Sequence, residues 1–305
     1  MRKSSGELPW TEEETRGLMS HADVISALRQ KVENNTATPP EFTRFAKAVS
    51  ALEKAVNDKE RLAGDVIVAE DKEGNEVRFD LAEILRTSDT FFRGKHLEVL
   101  ADALPSYVRL SQEQVERIKE AAKEGFDRAF LFAPLELLDT NNSAILTACA
   151  KEHLANLTGD DQYTEPFVDT TAQTPVTRNR PTGKAYLLLY SSKPVAQETK
   201  DLTFPQVAEL FKQNKWNGLT LQEHLILQRF EAEVRGDHSF DAYSTDAGQS
   251  NWTWLMDSTS DASASRVLDA DWDPGSHRVR VYSGSSGSRG PNLGARSSVV
   301  LVLES

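Results

Sequence analysis

The chain has 305 residues, of which 39% are hydrophobic and 27% are charged, and its formal net charge at pH 7 is -12. This length exceeds one average domain, and the composition is that of a folded globular protein rather than a disordered one. The negative charge argues against a general nucleic-acid binder or a protein held on an anionic membrane surface, because both need a basic face.

The sequence also restricts the compartment in which the protein is expected. No apolar run approaches the roughly 20 residues that span a bilayer, and Met1–Trp10 contains no apolar core of signal-peptide length. Cys149 is the only cysteine, so an internal disulfide is excluded. We therefore expect a cytoplasmic protein, or a virion component made in a cytoplasm, without a membrane span.

The first half of the chain is predicted to be mainly helical. Capping boxes at Thr38–Glu41 and Ser111–Gln114 predict two helix starts, and a third helix is expected over Ala144–Leu157. Apolar residues recur at helical spacing after each box, namely Phe42, Phe45, Val49, Leu52 and Val56, and then Val115, Ile118, Ala122, Phe126, Ala129 and Phe130. These apolar stripes are interpreted as core.

A short hairpin interrupts this helical region. Val66–Val68 and the pair Val77 and Phe79 are strand-like, and the turn residues Lys72–Asn75 separate them. Residues 1–160 are therefore predicted to form a mostly helical N-terminal domain with one β-hairpin. Residues 161–183 are rich in Thr, Asp and Pro and are predicted to link it to a second domain at 184–305. A long loop that wraps the second domain is the alternative.

The second domain is predicted to begin with strand Ala185–Tyr190, followed by two helices. The first helix covers Phe204–Phe211, with Thr203 as its N-cap, and the second covers Leu219–Phe230. Leu221, Leu225 and Phe230 are expected to face inward, Glu223 and His224 to lie at the surface, and Trp252, Trp254 and Trp272 to be core. From Val234 to Leu303 there is no Glu or Lys, and short strands with Gly/Ser turns are predicted. The last strand, Ser298–Leu303, is expected to pair with Ala185–Tyr190.

Polar residues of the types found in antibody loops crowd the region just before this last strand. In Arg278–Tyr282 polar and apolar residues alternate, so Val279 and Val281 are predicted to face the core while the polar residues face a partner. Ser283–Gly290 is expected to be a flexible loop whose serines complete the site. The candidate ligand-binding residues are Asp271, Asp273, Ser276, His277, Arg278, Arg280, Tyr282, Ser283, Ser285, Ser286, Ser288 and Gly290.

Four segments between Thr182 and Ser305 carry a resemblance to a known family. They are Gly218–Arg229, Trp252–Leu255, Ala270–Pro274 and Asn292–Arg296, and in this order and spacing they resemble the variable proteins of diversity-generating retroelements, which have a C-type lectin fold. The resemblance implies an α+β protein whose C-terminal domain has a twisted antiparallel sheet, two helices and long loops. It implies a non-enzymatic ligand-display function, in which the last region is rewritten at adenine positions to sample new binding surfaces.

The residue types of the polar region fit this implication. Asn codons of the AAC type, when their adenines are replaced, yield the Ser, Gly, Asp, His, Tyr and Arg that crowd Asp271–Gly290. Trp272 and Pro274 would stay fixed as framework. The partner is expected to be a protein or another macromolecule, and the sequence does not indicate an oligomeric state.

Two alternative functions share this broad fold, one as an enzyme and one as a lectin. A formylglycine-generating type of enzyme would need a cysteine pair in the C-terminal domain, and no cysteine follows Cys149. A calcium-dependent lectin would carry sugar-binding triplets and paired cysteines that are absent here, whereas calcium-independent carbohydrate binding stays open. A solvated loop without a partner, and Arg278 and Arg280 as simple protection of a strand edge, also stay open.

The sequence predicts no catalytic, cofactor or metal site. The six histidines lack metal-ligand spacing, and Gly284–Gly290 lacks the Gly-Lys-Ser/Thr ending of a phosphate loop. Asp269, Asp271 and Asp273 alternate along the chain and offer the oxygen ligands that calcium prefers, but too few further oxygen ligands accompany them. Arg296 is interpreted as a structural residue.

Overall fold

The computed structural model describes residues 12–34, 36–49, 66–138, 145, 166–168, 176–177, 179–193, 197–237, 240, 243–244, 249–250, 252–259, 266–273 and 278–303. The chain divides into two compact units, Met1–Val66 and Ile67–Ser305. The division therefore falls near Val66 and not at the predicted linker, residues 161–183, which lie inside the second unit.

The first unit contains helix α1 (Glu12–Glu33) and helix α2 (39–49). The predicted cap of α2 is formed, because the backbone N–H and the hydroxyl of Thr38 both donate to the Glu41 carboxylate at 2.9 Å. The predicted continuation of this helix to Val56 lies outside the described residues.

The second unit opens with the predicted hairpin, strands β1 (Val66–Glu70) and β2 (Glu76–Asp80). Gly74 occupies the turn with φ of 83°, a left-handed conformation that favours glycine. Helices α3 (Leu81–Gly94), α4 (Glu98–Asp102) and α5 (Gln112–Lys123) follow.

Helix α5 begins at the predicted capping box of Ser111 and Gln114 but ends earlier than its apolar stripe suggests. Gly125, with φ of 96°, closes it in a Schellman motif. In that motif the N–H of Phe126 donates to the Ala121 carbonyl at 3.0 Å, and the N–H of Gly125 donates to Ala122 at 2.9 Å. The prediction that Ala129 and Phe130 belong to this helix is wrong, because both lie in strand β3 (Arg128–Phe132). Of the predicted helix Ala144–Leu157, only Ile145 is described, and it is helical.

A three-stranded antiparallel sheet connects the two predicted domains. Its order is β13–β6–β3, with β6 (Tyr186–Tyr190) between β13 (Ser298–Val302) and β3. Tyr190 is paired with Ser298 on one side and with Arg128 on the other, so the predicted pairing of first and last strands is confirmed. The third strand comes from the predicted N-terminal domain, and this shared sheet explains why 161–183 does not separate two units.

Both faces of β6 are buried. Tyr186, Leu188 and Tyr190 pack in a cluster with Phe130 and Phe230 among its members. Leu187 and Leu189 belong to a second cluster on the opposite face. Side chains alternate between the faces of a strand, so a strand that is apolar at every position is covered on both sides.

The second sheet has the order β12–β9–β10–β11–β4, and β5 also pairs with β9. Its long strands are antiparallel: β9 (Trp252–Thr259), β10 (Arg266–Asp273) and β11 (Arg278–Ser285). The short strands are β4 (Phe167–Val168), β5 (Val176–Thr177) and β12 (Leu293–Ala295), and a separate pair is formed by β7 (Tyr243–Ser244) and β8 (Gln249–Ser250). Because β4 and β5 come from 161–183, the described parts of this segment fit a loop that wraps the second unit better than a linker.

Helices α6 (Phe204–Asn214) and α7 (Leu221–Phe230) lie between the strands in sequence, and a π-helical turn, Glu231–Arg235, continues α7. Short 3-10 turns cover Leu135–Leu137 and Gln197–Thr199. The inward residues predicted for α7 are buried as expected. The described elements include helices and sheets, so the predicted α+β class is confirmed at this level.

Candidate ligand-binding face

The predicted recognition residues lie on the antiparallel pair β10 and β11, whose register decides which side chains share a face. Asp271 is opposite Arg280, Asp273 is opposite Arg278, and Asp269 is opposite Tyr282. Opposed residues of an antiparallel pair point to the same side. Val279 and Val281 point the other way and are buried in the core, as the alternation predicts. We call the side that carries Arg280 and Tyr282 the outer face.

Three aromatic rings and two guanidinium groups form a continuous row on the outer face. Arg280 lies over the Trp252 ring at 5.7 Å, and Arg278 lies over the Phe167 ring at 5.5 Å. The Tyr282 ring contacts both of these aromatic rings, with its centroid 5.6 Å from that of Trp252 and 5.4 Å from that of Phe167. We call these five residues the aromatic–arginine row. Phe167 is 38% exposed, and the other four are partly exposed.

Arg280 forms ion pairs with acidic residues of the neighbouring strand β10. Its Nε donates to Oδ1 of Asp271 at 2.9 Å, and its Nη2 bonds the other carboxylate oxygen. Its Nη1 is 3.9 Å from the Asp273 carboxylate. Hydrogen bonding to Asp271 raises the pKa of Arg280 above its already high ordinary value. Asp271 itself is only 3% exposed, so it positions Arg280 and does not reach a ligand directly, in contrast to its predicted role as a contact.

Arg278 is held differently. Its guanidinium stacks on Phe167, and its Nε is sealed from solvent without a hydrogen-bond acceptor among the described residues. No ion pair joins it to any residue in the described ranges. Its cross-strand neighbour Asp273 leans towards Arg280 instead.

Asp269 lies on the outer face with a carboxylate that is not fully hydrogen-bonded within the described residues. Burial, and then the charge of Asp271, raise the pKa of the Asp269 carboxyl to about 7. Its Oδ1 has no hydrogen-bond partner among the described residues. An added Cβ at Gly284 would lie 2.9 Å from its Oδ2, closer than a real Cβ approaches another atom, so the carboxyl occupies space that only glycine leaves open.

Two of the predicted serine contacts lie away from the row. Ser283 and Ser285 alternate with Tyr282 and Gly284 along β11 and therefore point to the side opposite the row. The Ser283 hydroxyl accepts from Nε of Arg266 at 2.9 Å, and its carbonyl accepts from the same guanidinium at 2.5 Å. Ser283 is therefore used within the sheet.

The other predicted contacts fall in the turn after β11. The carbonyl of Ser286 accepts from the N–H of Phe204 at 3.1 Å, and that of Gly290 accepts from the N–H of Asp201 at 3.0 Å. The N–H of Ser288 donates to the carbonyl of Ser285 at 3.0 Å, which tightens the turn. The predicted flexible loop is thus hydrogen-bonded to Phe204 of α6 and to Asp201 before this helix, and Ser285 and Ser288 are its exposed serines. Ser276 and His277 lie outside the described residues.

Sequence reasoning missed two rings of the row. Trp252 was predicted to be core and packs against a buried cluster, but it is partly exposed, whereas Trp254 is fully buried with the Phe204 ring at 5.8 Å. The two tryptophans share a side of β9 by alternation, and the Phe204 ring of α6 packs against that of Trp254. Phe167 lies in the predicted linker, where no sequence pattern marks it. Trp272 is partly buried against the main core cluster, and Arg296 is buried over the Phe240 ring at 3.9 Å, in line with its predicted structural role.

A second polar cluster, also missed, surrounds Arg180. Its guanidinium contacts both oxygens of Glu223 at 2.6 Å, Asp257 at 2.8 Å and the Gly218 carbonyl at 2.6 Å. The hydroxyl of Tyr186 donates to Glu223 at 2.7 Å. The prediction that Glu223 and His224 lie at the surface is therefore wrong, since both are buried. The charges of this cluster are paired with one another, so it fastens the 179–183 segment to α7 and β9.

The described residues contain no group of three or more His, Cys, Asp or Glu side chains arranged to hold a metal ion. Among the helices of the described ranges, none has the length and apolar character needed to cross a membrane. No family model matches the chain, and no curated protein or solved structure matches it either.

Proposed function

We propose that the chain is a non-enzymatic ligand-binding protein whose recognition surface is the aromatic–arginine row, and that it is a variable protein of a diversity-generating retroelement. The single observation that carries the binding proposal is the row itself. Trp, Tyr, Phe and Arg are the residue types enriched in the energetically dominant centres of protein interfaces. Here they lie in contact with one another and partly exposed.

The strand that carries the row supports a role in ligand binding. Tyr282, Arg280 and Arg278 are carried by an eight-residue strand whose intervening valines are buried, so the ligand-facing side chains are separate from those that hold the sheet. Binding groups on strands are positioned more rigidly than groups on free loops. Aromatic side chains also lose little rotamer entropy when they bind, because each has only two side-chain torsions.

The order of elements supports the proposed class. Strand β6, helices α6 and α7, the tryptophan-bearing strands β9 and β10, and the closing strand β13 follow the order expected from the resemblance. The C-type lectin-like arrangement of the second unit is part of this proposal, and so is a protein as the ligand.

The flanking DNA tests the proposed class. We expect a near-duplicate of the codons for Asp271–Arg296 that differs only at adenine positions, next to a gene for a reverse transcriptase. Flanking DNA with neither element would refute the class and leave the binding proposal to be judged by its own test.

Binding itself is tested by panning a displayed random-peptide library on the full chain. Peptides selected on the wild-type protein should lose affinity at least about tenfold for Tyr282→Ala, since truncating a central interface anchor costs 2 kcal/mol or more. Tyr107→Ala is the matched control, because Tyr107 is also an exposed tyrosine of the second unit but lies outside the row. If every selected peptide tolerates Tyr282→Ala, the row is not the recognition surface.

A carbohydrate is the second candidate ligand, and the partly exposed rings of Trp252 and Tyr282 favour it, because flat apolar surface can pack against a sugar ring. A glycan array probed with wild type and Tyr282→Ala decides this alternative. Bound glycans that are lost in the variant would favour it over a protein ligand.

A further inference from the structure

We infer that Arg278 is the carboxylate-binding position of the recognition surface, where an Asp or Glu side chain of the protein ligand pairs with its guanidinium. This inference rests on the proposed function and adds to it the chemistry of one contact.

The contrast between the two arginines of the row supports the assignment. Arg280 already has a bidentate partner in Asp271 and a second carboxylate, Asp273, at 3.9 Å. Arg278 has neither among the described residues, although it lies on the same strand and the same face. The charge of Arg280 is therefore already neutralised within the protein, whereas the charge of Arg278 is available to a carboxylate of the ligand.

The surroundings of Arg278 make such a pair stronger than an ordinary surface ion pair. The Phe167 ring covers one side of its guanidinium, and its Nε–H is removed from water without an acceptor in the described ranges. An exposed salt bridge contributes little because water screens it, whereas a charge-assisted hydrogen bond in a partly dry site contributes more. A carboxylate that reaches this group supplies both the missing charge and an acceptor.

The geometry also limits where the carboxylate binds. Phe167 contacts both Tyr282, with 5.4 Å between the ring centroids, and Arg278, at 5.5 Å, so a ligand that packs on the tyrosine ring has the guanidinium within reach. The acidic residue of the ligand is therefore expected near its apolar or aromatic contact, within a few residues in an extended peptide.

The experiment uses the peptides that are selected on the full wild-type chain and lose binding with Tyr282→Ala. Their dissociation constants are measured against wild type, Arg278→Ala, Arg278→Glu and Arg109→Ala. Arg109 is the matched control because it also stacks on an exposed aromatic residue, Tyr107, at 5.7 Å, but lies outside the row. Thermal unfolding of each variant verifies that the fold is retained.

We expect the Tyr282-dependent peptides to carry an Asp or Glu and to bind Arg278→Ala about tenfold or more weakly, the effect of losing a hydrogen bond between charged groups. Arg109→Ala should change affinity less than twofold. Replacing the acidic residue of the peptide by Lys should abolish binding to wild type and restore it with Arg278→Glu.

Two results overturn the inference in distinguishable ways. Tyr282-dependent peptides that lack acidic residues, or that bind Arg278→Ala as well as wild type, refute the carboxylate contact while leaving the proposed function in place. A selection that yields only peptides indifferent to Tyr282 refutes the proposed surface, and the inference about Arg278 with it.

Discussion

Asp269 lies on the outer face with a carboxyl that is poorly supported by polar neighbours, and its protonation affects stability. Its pKa is raised to about 7, first by burial and then by Asp271. An ordinary Asp has a pKa of about 3.9, so the folded state holds this proton more tightly than the unfolded state does. The contribution to stability is therefore present below about pH 4 and is lost as the pH rises to about 7.

Asp269→Asn should remove this loss. The free energy of unfolding of the variant, relative to wild type, should rise between pH 5 and pH 8 by about 1–3 kcal/mol, a range that discounts the full shift for partial exposure. Urea unfolding at several pH values measures the difference. Parallel pH profiles for the two proteins would show that Asp269 titrates normally.

His224 has the opposite effect. Burial, and then the nearby charge of Arg296, lower its pKa to about 3, and its Nδ1 has no hydrogen-bond partner in the described part of the chain. Because the folded pKa is below the ordinary value of about 6.5, its contribution to stability is present above that pH and is lost as the pH falls towards 3.

His224→Gln should therefore make the protein less sensitive to acid. Between pH 7 and pH 5 the wild type should lose about 2 kcal/mol relative to this variant, the value of about 1.5 pH units. Guanidinium unfolding at the two pH values provides the measurement. An equal loss in both proteins would mean that the imidazole is protonated in the folded state at pH 5.

At the scale of elements, the strand pair β10–β11 carries residues proposed to bind a ligand next to residues that stabilise the sheet. Tyr282 packs against the partly exposed rings of Trp252 and Phe167, whereas Arg280 is ion-paired with Asp271, which is buried. Exchange of the tyrosine is therefore tolerated by the sheet, whereas exchange of the arginine removes the ion pair of a buried carboxylate.

Arg280→Ala should lower the free energy of unfolding by about 2–4 kcal/mol, because it removes the ion pair of the buried Asp271 carboxylate. Tyr282→Ala should lower it by less, about 1 kcal/mol, because the change removes aromatic contacts at a partly exposed site. The double variant Asp271→Ala with Arg280→Ala should recover much of the first loss. Equilibrium unfolding of the three variants decides the matter, and equal effects of the two single changes would contradict this division of roles.

Local signals in the sequence were sufficient for three helix starts and for the inward and outward sides of β11. Thr38, Ser111 and Thr203 each begin a helix as the predicted N-cap residues, because their caps depend only on residues three positions away. Val279 and Val281 obey simple alternation. The ring of Phe167 and the burial of Glu223 were not predictable in this way, because each depends on a segment distant in sequence that packs against it.

The same reason accounts for the wrong assignment of Ala129 and Phe130 to helix α5. The run Ala129–Phe132 carries apolar residues that are compatible with the end of a helix or with a buried strand. Gly125 gives the local reason for the helix to end, but the pairing of β3 with β6 joins residues more than 50 positions apart and leaves no local mark. Short apolar runs are ambiguous between the two structures when read alone.

At the scale of the whole molecule, the sheet β13–β6–β3 makes the second unit indivisible at 161–183. Without β3, the apolar strand β6 would lose a hydrogen-bonded neighbour and expose an edge, and Phe130 and Phe132 would be removed from the main core cluster. The fragment 184–305 should therefore be recovered aggregated or without cooperative thermal unfolding. The fragment 67–305 retains all three strands and should unfold in one cooperative transition, monitored by near-ultraviolet circular dichroism. A soluble 184–305 fragment with a sharp transition would show that the recognition domain folds without β3 and that the boundary predicted from the sequence is the functional one.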